Sequence, residues 1–205
     1  MSATPDLTET QLRRLNIGRR YWPAELRQIP ESASYRAVVH RYALRIREMR
    51  ARGWGLMLWG PNSRGKTFSA SALLKHAVRA GYTGYCITAP ALKTCFIEKP
   101  WFDEDQTVPQ RIETVDFLVI EDIGKEFRGQ SGWAELQFES LLRTRTRELL
   151  PTIVTTNFAP SEMLEVYNRS ALELAFEMMH AVECTGANYR KRQARKMGQV
   201  LAGKE

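Results

Sequence analysis

Eight residues, Gly60-Pro61-Asn62-Ser63-Arg64-Gly65-Lys66-Thr67, read G-x-x-x-x-G-K-T. Glycines let a backbone curl until successive N–H groups converge, which makes a cradle for phosphate oxygens. Lys66 adds a mobile charge for the outer phosphates and Thr67 a hydroxyl for Mg2+. Such a cradle needs a strand before it and a helix after it, so that the helix N-terminus faces the anion. Gly55 to Trp59 is a short apolar run suited to a buried strand, and Phe68 to Ala80 follows as a helix. The chemistry this predicts is nucleotide binding, with the phosphates held by Gly60 to Phe68.

Hydrolysis of a nucleotide needs a carboxylate at a neighbouring strand end, to hold Mg2+ and to orient water. Phe117-Leu118-Val119-Ile120-Glu121-Asp122 has four apolar residues and then two acids, which puts Glu121 and Asp122 where open α/β sheets bind ligands. Pro151-Thr152-Ile153-Val154-Thr155-Thr156-Asn157 ends a second β-branched strand on an amide. Asn157 can reach the attacking water or the γ-phosphate from there, although strands also end in Asn for turn reasons.

Strands that position these groups alternate with helices. Tyr85–Thr88, Asp116–Ile120, Thr152–Thr156 and His180–Cys184 read as strands, and Ala91–Ile97, Trp133–Leu149 and Ser161–Glu177 as helices, the last broken near Asn168. The segment from Lys99 to Pro109, with two prolines, reads as a loop. This order predicts an α/β fold around a parallel sheet. Upstream, Tyr35, Val38, Val39, Tyr42, Ile46 and Met49 recur at helical spacing, which predicts one helix from Ser34 to about Arg52. Its arginines either line a nucleic-acid or subunit surface or form the wet face. Tyr21 and Trp22 before Pro23 indicate an ordered arm.

The 205 residues, 43% hydrophobic and 26% charged, suit one soluble domain. Net charge is +7 but unevenly placed: residues 1–52 carry 11 arginines against 5 acids, 53–189 carry 13 basic against 17 acidic residues, and 190–205 carry 6 against 1. Basic flanks on a mildly acidic body suit a polyanionic partner, nucleic acid first, or a solvated surface. No apolar run approaches the roughly 20 residues that span a bilayer, and the N-terminus does not resemble a secretory signal. Cys86, Cys95 and Cys184 match no disulfide or zinc pattern and read as small apolar side chains in a reducing compartment. A cytoplasmic protein without a membrane partner is expected.

The order GPNSRGKT, LVIEDIG (Leu118 to Gly124), PTIVTTN (Pro151 to Asn157), YNR (Tyr167 to Arg169) and GANYR (Gly186 to Arg190) resembles the DnaC/DnaI-type helicase loaders and the related IstB transposition ATPases, of the AAA+ class of P-loop ATPases. The resemblance runs from about Ile17 to Arg190. It implies a three-layer sandwich, with a minimal or absent C-terminal lid. It also implies residue roles. Lys66 and Thr67 serve ATP and Mg2+, Glu121 and Asp122 are the tandem acids of the metal and water site, and Asn157 reads the γ-phosphate. Arg169 matches the arginine finger that completes a neighbouring subunit's site, and Arg190 a second sensor on its own nucleotide. The arm near Ile17 to Trp22 lies where the family covers adenine. Implied partners are a replicative DNA helicase, single-stranded DNA and further copies of the chain, joined through the nucleotide sites.

Two features depart from that pattern. The acids run Glu121 then Asp122, where the family usually begins with Asp, and Arg64 replaces a small or neutral residue. Arg64 either adds charge near the phosphates or points into solvent. Domain boundaries are expected at 1–52 for a basic arm and helix, 53–190 for the core and 191–205 for a basic tail. Rival readings are an IstB-like helper of a DNA transposase, a P-loop kinase of small molecules, and a non-catalytic nucleotide-gated adaptor.

Overall fold

The computed structural model describes residues 6–97, 108–124, 133–163, 167 and 169–202, without the side chains of 96–97, 133–135, 169–172, 192–193 and 196. Strands form where apolar and β-branched residues run together between glycine, proline or polar punctuation. They are β1 (Gly55–Trp59), β2 (Gly84–Thr88), β3 (Phe117–Ile123), β4 (Thr152–Thr156) and β5 (Met179–Glu183). All pair in parallel, in the order β2-β3-β4-β1-β5. A parallel sheet must be covered on both faces. Side chains alternate sides along β3, so Phe117 and Val119 enter one core while Leu118 and Ile120 enter the other.

Among the described residues three α-helices precede β1: α1 (Glu9–Arg14), α2 (Arg36–Leu44) and α3 (Ile46–Arg52). The helix α4 (Lys66–Arg79) links β1 to β2, α5 (Ala89–Ile97) and α6 (Val108–Thr114) lie between β2 and β3, and α7 (Trp133–Arg147) follows β3. Next come α8 (Pro160–Met163) and α9 (Arg169–Met178), and α10 (Tyr189–Leu201) follows β5. One core joins α2 and α4 to the sheet through Val39, Leu73 and Leu58; the other joins α5, α7 and α9 through Leu92, Leu142 and Ala175. Among the described residues no helix is long and apolar enough to cross a membrane.

Several boundaries differ from the sequence reading. The single helix expected from Ser34 to Arg52 breaks at Arg45 (φ −105°, ψ 24°). The break lets Ile46 enter the core while Leu44 stays 86% exposed. Val108 and Pro109 open α6, because proline is tolerated in a first helical turn; residues 99–107 of the expected loop lie outside the described residues. Helices α8 and α9 occupy the stretch read as a helix from Ser161 broken near Asn168, with α9 beginning at Arg169; Asn168 itself is outside the description. The basic run after Arg190 is helical: Asn188 caps α10, its side chain accepting from the Lys191 N–H.

Two polar clusters hold elements together. Arg145 on α7 is buried, and its guanidinium donates to Thr152 Oγ1 and to the carbonyls of Ile112, Val115, Asp116 and Pro151. It ties the starts of β3 and β4 to α6 and α7. The second cluster fixes the arm on α4. Lys75 Nζ, also buried, donates to Trp22 O (2.6 Å), Ala24 O (2.8 Å) and Glu25 Oε1 (2.8 Å), and Arg79 donates to both Glu25 oxygens. Further up the arm, the Cys86 N–H donates to Leu15 O and the Asn16 amide to Cys86 O, closing the β2 edge.

Hydrogen bonds from Arg79, then Lys75, outweigh desolvation and hold the Glu25 carboxyl at about 2, below its ordinary 4.5. A depressed carboxyl contributes stability above its unfolded pKa and loses it as pH falls. Glu25→Gln should therefore cost about 3 kcal/mol near neutrality, since it strands a buried ammonium. The difference from wild type should shrink between 4.5 and about 2, which urea titrations at stepped pH would measure.

Candidate nucleotide site

β1 delivers the chain to Gly60, whose φ of +122° only glycine adopts freely. A Cβ there would stand 3.0 Å from the Cys184 carbonyl oxygen, so the turn hugs the end of β5. Gly65 is the second obligatory glycine. Its φ is +95°, and a Cβ would lie 2.3 Å from the Tyr35 hydroxyl, which donates to Arg64 O at 2.6 Å. α4 starts at Lys66, so its unpaired N–H groups face the loop.

Lys66 is 6% exposed, and its ammonium donates to Gly60 O (2.7 Å), Pro61 O (2.9 Å) and Asn157 Oδ1 (2.9 Å). Burial, aided by the charges of Arg190 and Arg64, lowers its pKa, while Cys184 and Asp122 oppose the fall. Asn157 lies at the tip of β4, which neighbours β1, so adjacent strands bring these two side chains together. The acids lie across from them. The expected strand end at Ile120 is corrected: β3 runs to Ile123 and includes both acids, with the β3–β4 register shifting between Ile120 and Ile123. Asp122 adopts φ +58°, and its N–H donates to Thr155 Oγ1 at 3.0 Å. Such irregularities re-aim side chains at sheet rims.

One cavity of about 350 Å³ gathers the groups. Asn62, Ser63, Gly65, Lys66, Thr67 and Phe68 line it from the loop and α4, and Glu121, Asp122 and Asn157 from the strand ends. Arg190 lines it from the first turn of α10. Gly60 and Pro61 contribute carbonyls to Lys66. Arg64 lies near enough for its charge to act on Lys66, and its side chain is held in place. Its guanidinium donates to Gly186 O and, with the Tyr189 N–H donating to Ser63 O at 2.9 Å, ties the loop to the segment after β5. Arg169 opens α9, and its side chain lies outside the described residues.

The arm completes the wall. Arg20 and Tyr21 line the cavity, whereas Ile17 is buried in the core and Trp22 sits between the guanidinium groups of Arg13 and Arg19. Ile29, Pro30, Tyr35 and Tyr189 line it too, and sequence reasoning missed them. The available signals were weak: an apolar Ile-Pro pair in a polar stretch, and a tyrosine beside Arg190.

No family profile matches the chain. An insertion sequence IS21-like ATP-binding protein of Bacteroides fragilis is 33% identical over 136 residues, 64% of this chain and 51% of that protein. The replicative helicase loader DnaI of Bacillus subtilis (strain 168) is 28% identical over 120 residues, 55% of this chain and 36% of that protein. The chain thus spans about half the length, or less, of these curated relatives. The crystal structure of the DnaC helicase loader superposes with a TM-score of 0.72 at 22% identity, covering 82% of this chain and all of that one. The chain has the P-loop α/β fold of these loaders and is similar in sequence to the IS21-like ATP-binding protein and to DnaI. A replication initiator DnaA bound to AMPPCP and single-stranded DNA shares the fold (TM-score 0.66, 16% identity, 92% of this chain and 57% of that one).

The cavity fits a triphosphate with its metal. Lys66 is a buried cation, and Thr67, Glu121 and Asp122 are hard oxygen donors in the same wall. No cluster of three His, Cys, Asp or Glu residues suited to a metal occurs among the described residues. Mg2+ is held by one or two carboxylates and substrate phosphates, and Glu121 and Asp122 are two such carboxylates. Burial pushes the Glu121 carboxyl up to about 7; the hydrogen bond with Cys86 opposes this and the neighbouring Asp122 charge reinforces it. A raised carboxyl costs stability as pH climbs from its unfolded value through its folded one. Glu121→Gln is therefore expected to raise Tm at about pH 8 by roughly 5 °C and to leave it unchanged near pH 4, by calorimetry without nucleotide.

Proposed function

We propose that this chain binds ATP with Mg2+ and hydrolyses it, assembles with copies of itself through the nucleotide sites, and acts in the cytoplasm on single-stranded DNA while loading or remodelling a replicative helicase. The observation that carries the ATPase reading is the convergence of the loop, Lys66, Asn157, Glu121, Asp122 and Arg190 on one cavity. Lys66 would exchange its carbonyl partners for phosphate oxygens, which compete well because charge-assisted hydrogen bonds are stronger. Thr67, Glu121 and Asp122 would hold Mg2+, which neutralises charge on the transferring phosphoryl group when bound. Glu121, whose burial brings its pKa near neutrality, is suited to orient and deprotonate the attacking water. Asn157 would hold the γ-phosphate or that water, and Arg190 would bind phosphate from the same chain. Arg169, at the start of α9, would serve a neighbouring copy's nucleotide, since a guanidinium fork matches charge spread over phosphoryl oxygens.

DNA and helicase as partners are supported by the basic flanks and by the names of the relatives. A second reading, an ATPase helper of a DNA transposase that prefers duplex DNA, is favoured by the 33% identity to the IS21-like protein. Affinities for single-stranded and duplex DNA, each with and without ATP, separate the two.

Arg169→Ala is expected to keep ATP affinity and to lower kcat by about 10^3-fold or more, the usual worth of an arginine finger. Mixing it with Lys66→Ala should restore part of the activity, because one intact site then receives an arginine from its neighbour. Steady-state phosphate release at assembling concentrations reads this. No recovery there would count against a shared site.

A further inference from the structure

Every sheet has two edges, and an uncovered one offers unpaired N–H and C=O groups. Here the β2 edge is closed by Leu15 and Asn16. At β5 only the far end is capped, where the Ser34 hydroxyl donates to Glu183 O and accepts from the Thr185 N–H. The Cys184 N–H donates to Trp59 O, so even-numbered residues of β5 face β1 and odd-numbered ones face outward. The carbonyl of Met179 and both polar groups of Ala181 therefore point away from the sheet. Among the described residues they take no hydrogen-bond partner across that edge.

A groove of about 610 Å³ runs along this stretch, at the opposite end of β1 from the nucleotide loop. Trp54 (41% exposed) and Met49 wall one side, and Phe176 (36% exposed) and Met178 the other. The Trp54 wall is fixed, because its carbonyl accepts from the Tyr42 hydroxyl at 2.6 Å. Exposed Arg41 and Arg45 sit on the rim with His180 and one carboxylate, Glu177, and Glu48 of α3 reaches Arg45 at 3.9 Å. Arg52 lies over the Trp54 ring at 4.6 Å, its charge shared with Glu48 at 3.2 Å.

The geometry points to a docking site for an extended acidic peptide of a partner protein, added as a sixth strand beside β5. Main-chain bonding to an edge gives such complexes affinity, and pockets for alternate side chains give them specificity. The bare edge fits a segment of about five residues at roughly 3.3 Å each. Its apolar side chains turn to the α9 side, onto Phe176 and Met178, and the alternate carboxylates turn to the α2 side, toward Arg41 and Arg45. A nucleic-acid strand fits poorly: its phosphodiester chain has no N–H for the Met179 carbonyl, and the floor is apolar.

The test pans the full chain against a random decapeptide display library and measures the selected peptides, fluorescein-labelled, by anisotropy. Apolar residues alternating with Asp or Glu are expected in the selected set. Ala181→Pro removes an edge N–H at a position where an edge strand tolerates proline, and should weaken binding at least ~10-fold. The surface pair Arg41→Glu/Arg45→Glu should do the same with an unchanged melting temperature, and it carries the test if Ala181→Pro fails to fold. Failure to select peptides, selection of basic or non-alternating ones, or binding indifferent to the variants overturns the proposal. So does self-association, seen by sedimentation, that Ala181→Pro abolishes, because the edge would then belong to a second copy.

Discussion

A buried ammonium without a carboxylate organises this molecule. α4 carries two buried lysines, and they differ in one respect. Lys75 is paired with Glu25, whereas Lys66 has two carbonyls and an amide oxygen, and no carboxylate within ion-pair distance among the described residues. Removing a charge from water costs several kcal/mol, which neutral dipoles offset only in part. An anion entering the loop would supply the missing charge. The surrounding features follow from that need: glycines at Gly60 and Gly65 that permit the approach, a helix start that favours negative charge, and an arm clamped through Lys75 that limits access of water.

The acids add a constraint of opposite sign. Glu121 and Asp122 are neighbours in sequence at a strand whose register slips, and Asp122 is held at φ +58° by its bond to Thr155. A non-glycine residue in that region costs about 1 kcal/mol or more. The order Glu then Asp acquires a physical meaning here. A longer side chain stands where the strand is half-buried, and a shorter one where the backbone turns, so the two carboxyls experience different environments, and burial pushes Glu121 toward neutrality.

Much of the site was legible because its parts are local. G-x-x-x-x-G-K-T states its own turn and helix start, and acids after four apolar residues mark where the buried part of a strand ends, although β3 itself continues to Ile123. The sheet was legible for the same reason, since most strands are short apolar or β-branched runs with punctuation on both sides. What stayed hidden depends on contacts across long separations. Tyr35 reaches the loop from 29 positions away, and Arg145 satisfies carbonyls on both flanks of β3. A buried arginine on a leucine-rich helix looks, in one dimension, like any solvent-facing one. The break at Arg45 was equally silent, because the apolar spacing continues through it and only packing on α4 and the sheet decides which turn is given up.

The bonds from Tyr189 to Ser63 and from Arg64 to Gly186 root α10 in the rim of the phosphate loop. From that root the helix runs 13 residues, or roughly 20 Å at the ordinary rise, to an exposed tip at Val200 and Leu201. It is a lever with its fulcrum at the loop. A tilt of about 10° where Tyr189 meets Ser63 sweeps the tip through about 3 Å, a displacement comparable to a hydrogen-bond length. Sub-ångström adjustments around a phosphate would thus be magnified at the far end of a cationic rod.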